Sequence, residues 1–477
     1  VNSLFAHPLF KDIRFWILLF FMIRLMGITN PPLEVAHNWR QTTVTMVARN
    51  FLEVSNNPFY PRIDFAGEKT GITGMEFPVF NYVCYWFSEL FGYQHWYGRL
   101  INLLVSSIGI WYLFKIIKRY FTPQIAFNAA FILMVSIWFA YSRKIMPDTF
   151  ATSLFTIGFY YGSAYFERKE NTVLHLTLFF MFTLLGILAK LPIGFLMILY
   201  CFFVFNKKIP FQRIVIFIVL NGIMLAPVAW WYFSWVPHLV KQYGFWHFFM
   251  GKPITTGAVE LIQHWNDALK HFYDAALKYV GFSAFLIGLF FIYKRRNKRL
   301  ALLFILCSLA FLIIMLKAGF TFTHHAYYII PFVPIMALIA AYGIDEIPLK
   351  KIQLLFLALI AIEGVGNQLH DFRIKDHEMA FTRLEASLDS ISSKRDLIAI
   401  NTGDNPTAMY FAHRKGWIAW NEELKQTDFQ NQLASKGCRF IVVMKRYLGG
   451  ELELPLSKVV DNENWSIYSL TASQGGN

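Results

Sequence analysis

The segment EVAHNWRQTTVTMVARNF, residues 34–51, carries an acid, a histidine and two arginines directly after an apolar run. Glu34 offers a carboxylate that can take a proton, while His37 and Arg40 can hydrogen-bond or hold an anion. Further along, Arg62, Asp64, Glu68, Lys69 and Glu76 crowd YPRIDFAGEKTGITGMEFPVFNYV, residues 60–83. YSRKIMPDTF at 141–150 adds Arg143, Lys144 and Asp148. Lys190 stands almost alone in AKLP, and FTFTHHAYY at 320–328 brings His324, His325 and Tyr328. Acids and cations gathered at the ends of apolar segments suit a reaction between a lipid-borne phosphate and a hydroxyl. A carboxylate removes the hydroxyl proton, and Lys, Arg or a metal ion stabilises the charge growing on the departing phosphate. Mg²⁺ or Mn²⁺ could serve there, held by the carboxylates, or the cationic side chains could make a metal unnecessary. His324 and His325 alone make no bidentate metal site, because adjacent residues on a helix point apart.

Each candidate also has a plainer reading from the element that positions it. Asn30 can cap a helix with Pro31 at its first position, running to about Val54, so Glu34 becomes a first-turn acid favoured by the helix dipole. Glu34, His37, Gln41 and Thr45 then share one face and Val44, Val47, Ala48 and Phe51 the other, an amphipathic helix lying in the membrane interface. Asp148, beside Pro147, reads equally as a helix-start acid. Position alone leaves these alternatives open, but an acid at a membrane boundary is costly unless paired or solvated.

The scaffold is a membrane one. A chain of 477 residues that is 56% hydrophobic, 18% aromatic and 16% charged cannot hide its apolar surface in one soluble core. Apolar stretches recur from Ile13 to about Leu369, and they predict an all-α polytopic membrane domain of about eleven spans over residues 1–370. The first, about Asp12 to Thr29, lacks a small-residue cleavage site and reads as a retained anchor. Basic residues cluster in KIIKRYF, ERKEN, NKK, YKRRNKR and LKK, the positive-inside pattern. This places the N-terminus in the cytoplasm and residues 30–95, 141–148, 234–276, 317–325 and 371–477 on the other face. The +14 formal charge therefore orients the chain and calls for no nucleic-acid partner. Residues 371–477 alternate strand and helix patterns (DLIAINT, PTAMYFAHRKG, WIAW, DFQNQLASKG, CRFIVVMK, WSIYSL) and predict a small α/β domain. Cys84, Cys201, Cys307 and Cys438 are scattered and suggest buried structural thiols.

The order of HNWRQTTVTMVARNF, YPRIDFAGEKTG, MEFPVFNY, GRLINLL, SRKIMPDTF and HHAYYIIPFVPIMAL resembles the membrane-embedded GT-C glycosyltransferases. The nearest type is the bacterial family related to protein O-mannosyltransferases and the lipid A aminoarabinose transferase, and the similarity covers nearly the whole chain. It implies a polyprenyl-phosphate-linked sugar donor, a lipid, glycan or protein acceptor, a cavity on the extracytoplasmic side of a bacterial plasma membrane, and inversion in a single displacement. Glu34 then matches the first-loop acid and becomes the expected general base. Asp148 matches the acid that positions acceptor or metal, and Glu76 the acid before a proline motif at the cavity wall. Thr43 stands where the family pattern leads one to expect an acid, so Asp64 and Glu76 remain alternative bases. Arg40, Lys69, Lys144, Lys190, His324 and His325 are the expected phosphate ligands by charge and position, and His37, Asp64, Arg143 and Tyr328 complete the substrate-binding set.

The competing class is a transporter or lipid flippase. That reading calls for internal repeats and mid-membrane charges in corresponding halves; no repeat is visible, and the polar groups gather toward one face.

Overall fold

The structure, a computed structural model, describes residues 8–168, 170–245, 251–447 and 452–470. The apolar runs form helices, because lipid offers backbone amides no water to bond. Six are long and apolar enough to cross a membrane alone: Tyr97–Tyr120, Thr172–Ala189, Phe211–Tyr243, Lys298–Ala318, Ala326–Asp345 and Lys350–Phe372. Trp265–Ala276 and Lys278–Lys294, bent by 97° at their junction, make a seventh if counted as one span. The figure of about eleven also takes in shorter or less apolar helices such as Ile13–Leu25, Pro123–Val135, Pro147–Glu167 and Leu191–Val204. Ala326–Asp345 is central, with 94% of its apolar window buried, whereas Lys298–Ala318, with 17%, lies at the rim. Its neighbour Lys278–Lys294 approaches so closely that a Cβ on Gly343 would run into the Gly288 backbone. Small residues at such a crossing let two helix backbones touch.

The first-loop helix departs from its expected start. It spans Asn38–Glu53, not 31–54, and Ala36 and His37 before it have φ of 62° and 66°. Residues 34 and 35 are extended instead: Glu34 bridges Ile374, and the Val35 amide donates to the Arg373 carbonyl at 2.8 Å. The face assembled from Glu34, His37, Gln41 and Thr45 is thereby broken, since Glu34 is off the helix. Both helix faces are covered, because Val44 and Ala48 join the core of the membrane bundle while Met46, Val47 and Phe51 join the core of the C-terminal region. The helix is a layer between two bodies.

The C-terminal region carries β1 (Leu397–Ile400), β2 (Gly416–Ile418), β3 (Cys438–Met444), β4 (Ser457–Asp461) and β5 (Trp465–Ser469). They form one sheet in the order β2-β1-β3-β5-β4, with β1 parallel to β2 and β3, and β5 antiparallel to β3 and β4. β4 was not anticipated; its SKVVD is short and largely exposed. Strand alternation turns Ile398, Ile400 and Val442 toward the first-loop helix and Ala399, Ile441 and Val443 toward Leu424 and Leu433.

The loops grouped by charge meet at one end of the bundle. Asn38 donates to Glu378 at 3.2 Å, Lys69 to the Gly244 carbonyl at 2.8 Å, and Trp231 to the Met75 carbonyl at 3.0 Å. At the opposite end Arg119 pairs with Glu167 and Arg295 with Glu346. Cys84, Cys307 and Cys438 are buried, and all four thiols are free.

Candidate active site

Five chain segments end at one buried cluster. His37 and Arg40 come from the start of Asn38–Glu53, Glu76 from the approach to Val79–Phe91, and Asp148 from the first turn of Pro147–Glu167. Lys190 follows the end of Thr172–Ala189, and His325, Tyr327 and Tyr328 open the central span.

The charges there are paired across elements. Arg40 donates to Glu76 in a contact with both side chains below 10% exposure, and Lys190 lies 3.2 Å from Asp148. The Lys190 ammonium sits 5.3 Å from the Tyr327 ring and 5.8 Å from that of Tyr328, within cation–π range. His37 packs 5.1 Å from Tyr327 and 5.9 Å from His325, whose other side meets Trp39 at 6.0 Å. The two ion pairs are one electrostatic unit, for Arg40 feels Glu76 and Asp148 as well as both tyrosines. Burial, with Lys144, His325 and Arg40 nearby, pushes His37 down to about 3. Burial, with His324, Arg40 and Lys190 nearby, pushes His325 down to about 4. Both imidazoles are therefore neutral at physiological pH. The partly exposed members are His37, Trp39, His325 and Tyr328, and the cluster meets solvent through them.

Asp148 Oδ2, Arg40 Nε, Gln41 Nε2 and His325 Nδ1 are buried without a hydrogen-bond partner among the described residues. Buried polar atoms are seldom left so. Arg24, Glu34, Arg99 and Arg143 carry such atoms too, but the Arg40–Asp148 cluster also reaches solvent, through His37, Trp39, His325 and Tyr328, so it is the one a polar ligand can enter.

The other sequence candidates lie elsewhere. Glu34 is fully buried between Arg143 at 2.5 Å and Arg99 at 3.4 Å. Those arginines also collect carbonyls: Arg99 those of Ile28, Asn30 and Pro31, Arg143 those of Arg24, Met26 and Gly27. Glu34 and Arg143 thus clamp the turn after the first helix. Asp64 is held by Arg49 at 2.9 Å and Asn50 at 2.8 Å, and Arg49 also donates to the Tyr410 carbonyl, joining the first loop to the C-terminal region. Lys69 is exposed on the Gly244 carbonyl, and His324 is exposed against Phe320, with ring centroids 3.9 Å apart. Lys144 borders the cluster, paired with Asp371 at 3.2 Å and donating to the Val35 and Ala36 carbonyls. Tyr327, Trp39, Arg99 and Asp371 escaped the sequence reading. Arg99 had a signal, a cation just inside the apolar run YGRLINLL, whereas Asp371 acquires meaning only through Lys144.

The donor set suits a divalent ion poorly. Among the described residues no three His, Cys, Asp or Glu side chains converge, and Glu76 and Asp148 each already face a cation. Hard divalent ions ask for several oxygens around one point; here positive charge comes from Arg40 and Lys190.

Three comparisons with known proteins bear on this arrangement. A family model described as dolichyl-phosphate-mannose-protein mannosyltransferase matches residues 75–232. A search of curated proteins finds no significant match. Among solved structures, ArnT from Cupriavidus metallidurans bound to undecaprenyl phosphate aligns with a TM-score of 0.56 at 13% identity, over 97% of this chain and 99% of that one. Its apo form aligns with a TM-score of 0.58 over the same shares. The apo oligosaccharyltransferase of Archaeoglobus fulgidus aligns with a TM-score of 0.52 at 12% identity, over 90% of this chain and 69% of that one. At such identities the likeness is one of fold, and the fold is that of the GT-C membrane glycosyltransferases.

Proposed function

We propose that the chain is a membrane glycosyltransferase that moves a sugar from a polyprenyl-phosphate donor to an acceptor hydroxyl on the extracytoplasmic face, with inversion. The observation that carries this is the buried Arg40–Glu76 and Lys190–Asp148 unit with its unpartnered polar atoms, set in a GT-C fold. A transporter reading would account for buried charge pairs but not for the GT-C fold. ArnT in complex with undecaprenyl phosphate supports a prenyl-phosphate carrier here as well, and the positive-inside pattern supports the face.

The roles follow from charge. Arg40 and Lys190 hold the donor phosphate and stabilise it as it leaves. Asp148 and Glu34 each have one carboxylate oxygen without a hydrogen-bond partner among the described residues. We assign the base to Asp148, which faces a single ammonium in the cluster that meets solvent through His325 and Tyr328, instead of to Glu34, which two guanidiniums enclose. The acceptor oxygen attacks the anomeric carbon, the bond to the phosphate oxygen breaks with its electron pair going to phosphate, and Asp148 takes the hydroxyl proton. Glu76 keeps Arg40 in place, and neutral His37 and His325 hydrogen-bond the sugar without adding charge. No step is routed through a metal, and chelation with EDTA is expected to leave turnover unchanged; a loss restored by Mg²⁺ or Mn²⁺ would return the phosphate role to an ion.

The phosphate assignment is tested by binding. The Arg40→Ala/Lys190→Ala double variant should lose affinity for polyprenyl phosphate while retaining its weak affinity for the uncharged polyprenol. Equal binding of polyprenyl phosphate by variant and wild type would refute it.

A further inference from the structure

A cavity of about 1020 Å³ lies within the bundle away from the charged cluster, walled by Ile117, Phe155, Leu196, Phe203, Leu303 and Leu338. Apart from Thr156, its polar lining gathers at one end, in Tyr120, Glu167, Asn206, Lys208, Asn297 and Arg299. Asp148 and Glu167 belong to the same helix, and at 1.5 Å per residue they stand about 28 Å apart, roughly the thickness of a bilayer's hydrocarbon core. The polar mouth is therefore at the opposite end of the bundle from Asp148. A second cavity of about 580 Å³ adjoins it, sharing Asn297 and rimmed by Lys294, Arg296 and Lys298. Glu167 is already engaged by Arg119 and Tyr120. No carboxylate among the described residues pairs with Lys208, Arg299, Lys294, Arg296 or Lys298, and Arg295 takes the nearby Glu346.

We propose that these two cavities form one site for an anionic phospholipid of the leaflet at that end, its phosphate between Lys208 and Arg299 and its two acyl chains in the clefts on either side of Asn297. An apolar depth with a cationic mouth is complementary to an amphiphile bearing negative charge, and two clefts meeting at one residue match a two-chain lipid. The prenyl tail of a sugar donor is the poorer occupant. Its phosphate belongs with Arg40 and Lys190 at the other end, and its far terminus is a hydrocarbon with no use for cations.

Native mass spectrometry of the full chain in detergent, titrated with phosphatidylglycerol or phosphatidylcholine, tests this. Phosphatidylglycerol should bind at least tenfold more tightly. Lys208→Ala/Arg299→Ala should weaken it about thirtyfold, because each basic residue near a membrane surface contributes about 1 kcal/mol. Both residues are exposed, so the fold should survive; Leu303→Trp, which fills the cleft from an apolar wall, should also weaken binding. Equal affinity for the two lipids, unchanged binding by the double variant, or displacement of phosphatidylglycerol by polyprenyl phosphate would each overturn the proposal.

Discussion

Asp148 and Glu34 are both acids near a helix start in the sequence, yet their surroundings differ. Asp148 faces one cation, Lys190, whereas Glu34 neutralises two buried arginines. Replacing one member of a buried charge pair typically costs about 3–5 kcal/mol, because the partner is left uncompensated. Glu34→Gln should therefore lower thermal stability and folded yield before it touches turnover. A variant of normal stability with abolished transfer would return Glu34 to the reaction. Of the residues singled out by type at span ends, the structure brings together His37, Arg40, Glu76, Asp148, Lys190, His325 and Tyr328, with Lys144 at the border, and places Glu34, Asp64, Lys69, Arg143 and His324 elsewhere. The sequence did not show which acid meets which cation, since Arg143 lies 109 positions from Glu34 and no local spacing encodes that meeting.

His37 and His325 make the cluster sensitive to acid in a calculable direction. Their folded values, about 3 and about 4, lie below the ordinary value of roughly 6.5. Above about pH 6.5 both are neutral in either state and contribute no pH dependence. As pH falls from about 6.5 toward 4, the unfolded chain binds protons that the folded chain refuses, and stability is lost. Thermal melts across that window should steepen accordingly, and His37→Gln/His325→Gln should flatten the dependence; an unchanged slope would contradict the burial that sets these values.

At the scale of elements, the first-loop helix joins the two halves of the molecule. Its apolar stripe, Val44, Val47, Ala48 and Phe51, was legible from period alone. Its partner was not: periodicity says that a face is apolar, and lipid and protein satisfy it equally. Here protein takes the place of lipid on both sides, the membrane bundle covering Val44 and Ala48 and the C-terminal region covering Val47 and Phe51, helped by Arg49 between Asp64 and the Tyr410 carbonyl. The start at Asn38 was illegible for a related reason, because the Asn30-Pro31 signal was outweighed by strand pairing of residues 34 and 35 with 373 and 374. Arg49→Ala, leaving Asp64 buried without its cation, should loosen this junction, read as faster proteolysis of the C-terminal region than in wild type. Identical digestion would show that apolar contacts alone hold it.

For the whole molecule, the membrane class, the grouping of loops at one end and the alternating C-terminal region were all visible in composition, charge distribution and period. They are summed over many residues and tolerate local error. The closed arrangement of the site was not visible, because it depends on five segments brought together by the packing of helices around Ala326–Asp345. That packing makes a buried set of charges at one end, to which the proposed sugar transfer assigns a chemistry.

The most direct test of that chemistry is release of polyprenyl phosphate by the purified, lipid-reconstituted chain supplied with polyprenyl-phosphate-linked sugars and acceptor lipids or glycans. Wild type should release it in step with sugar transfer. Asp148→Asn, nearly isosteric and unable to take a proton, should be slower by about 10²–10⁴-fold with donor binding retained, measured below its melting temperature because Lys190 loses its buried partner. Release by Asp148→Asn at the wild-type rate would contradict the assignment of the base.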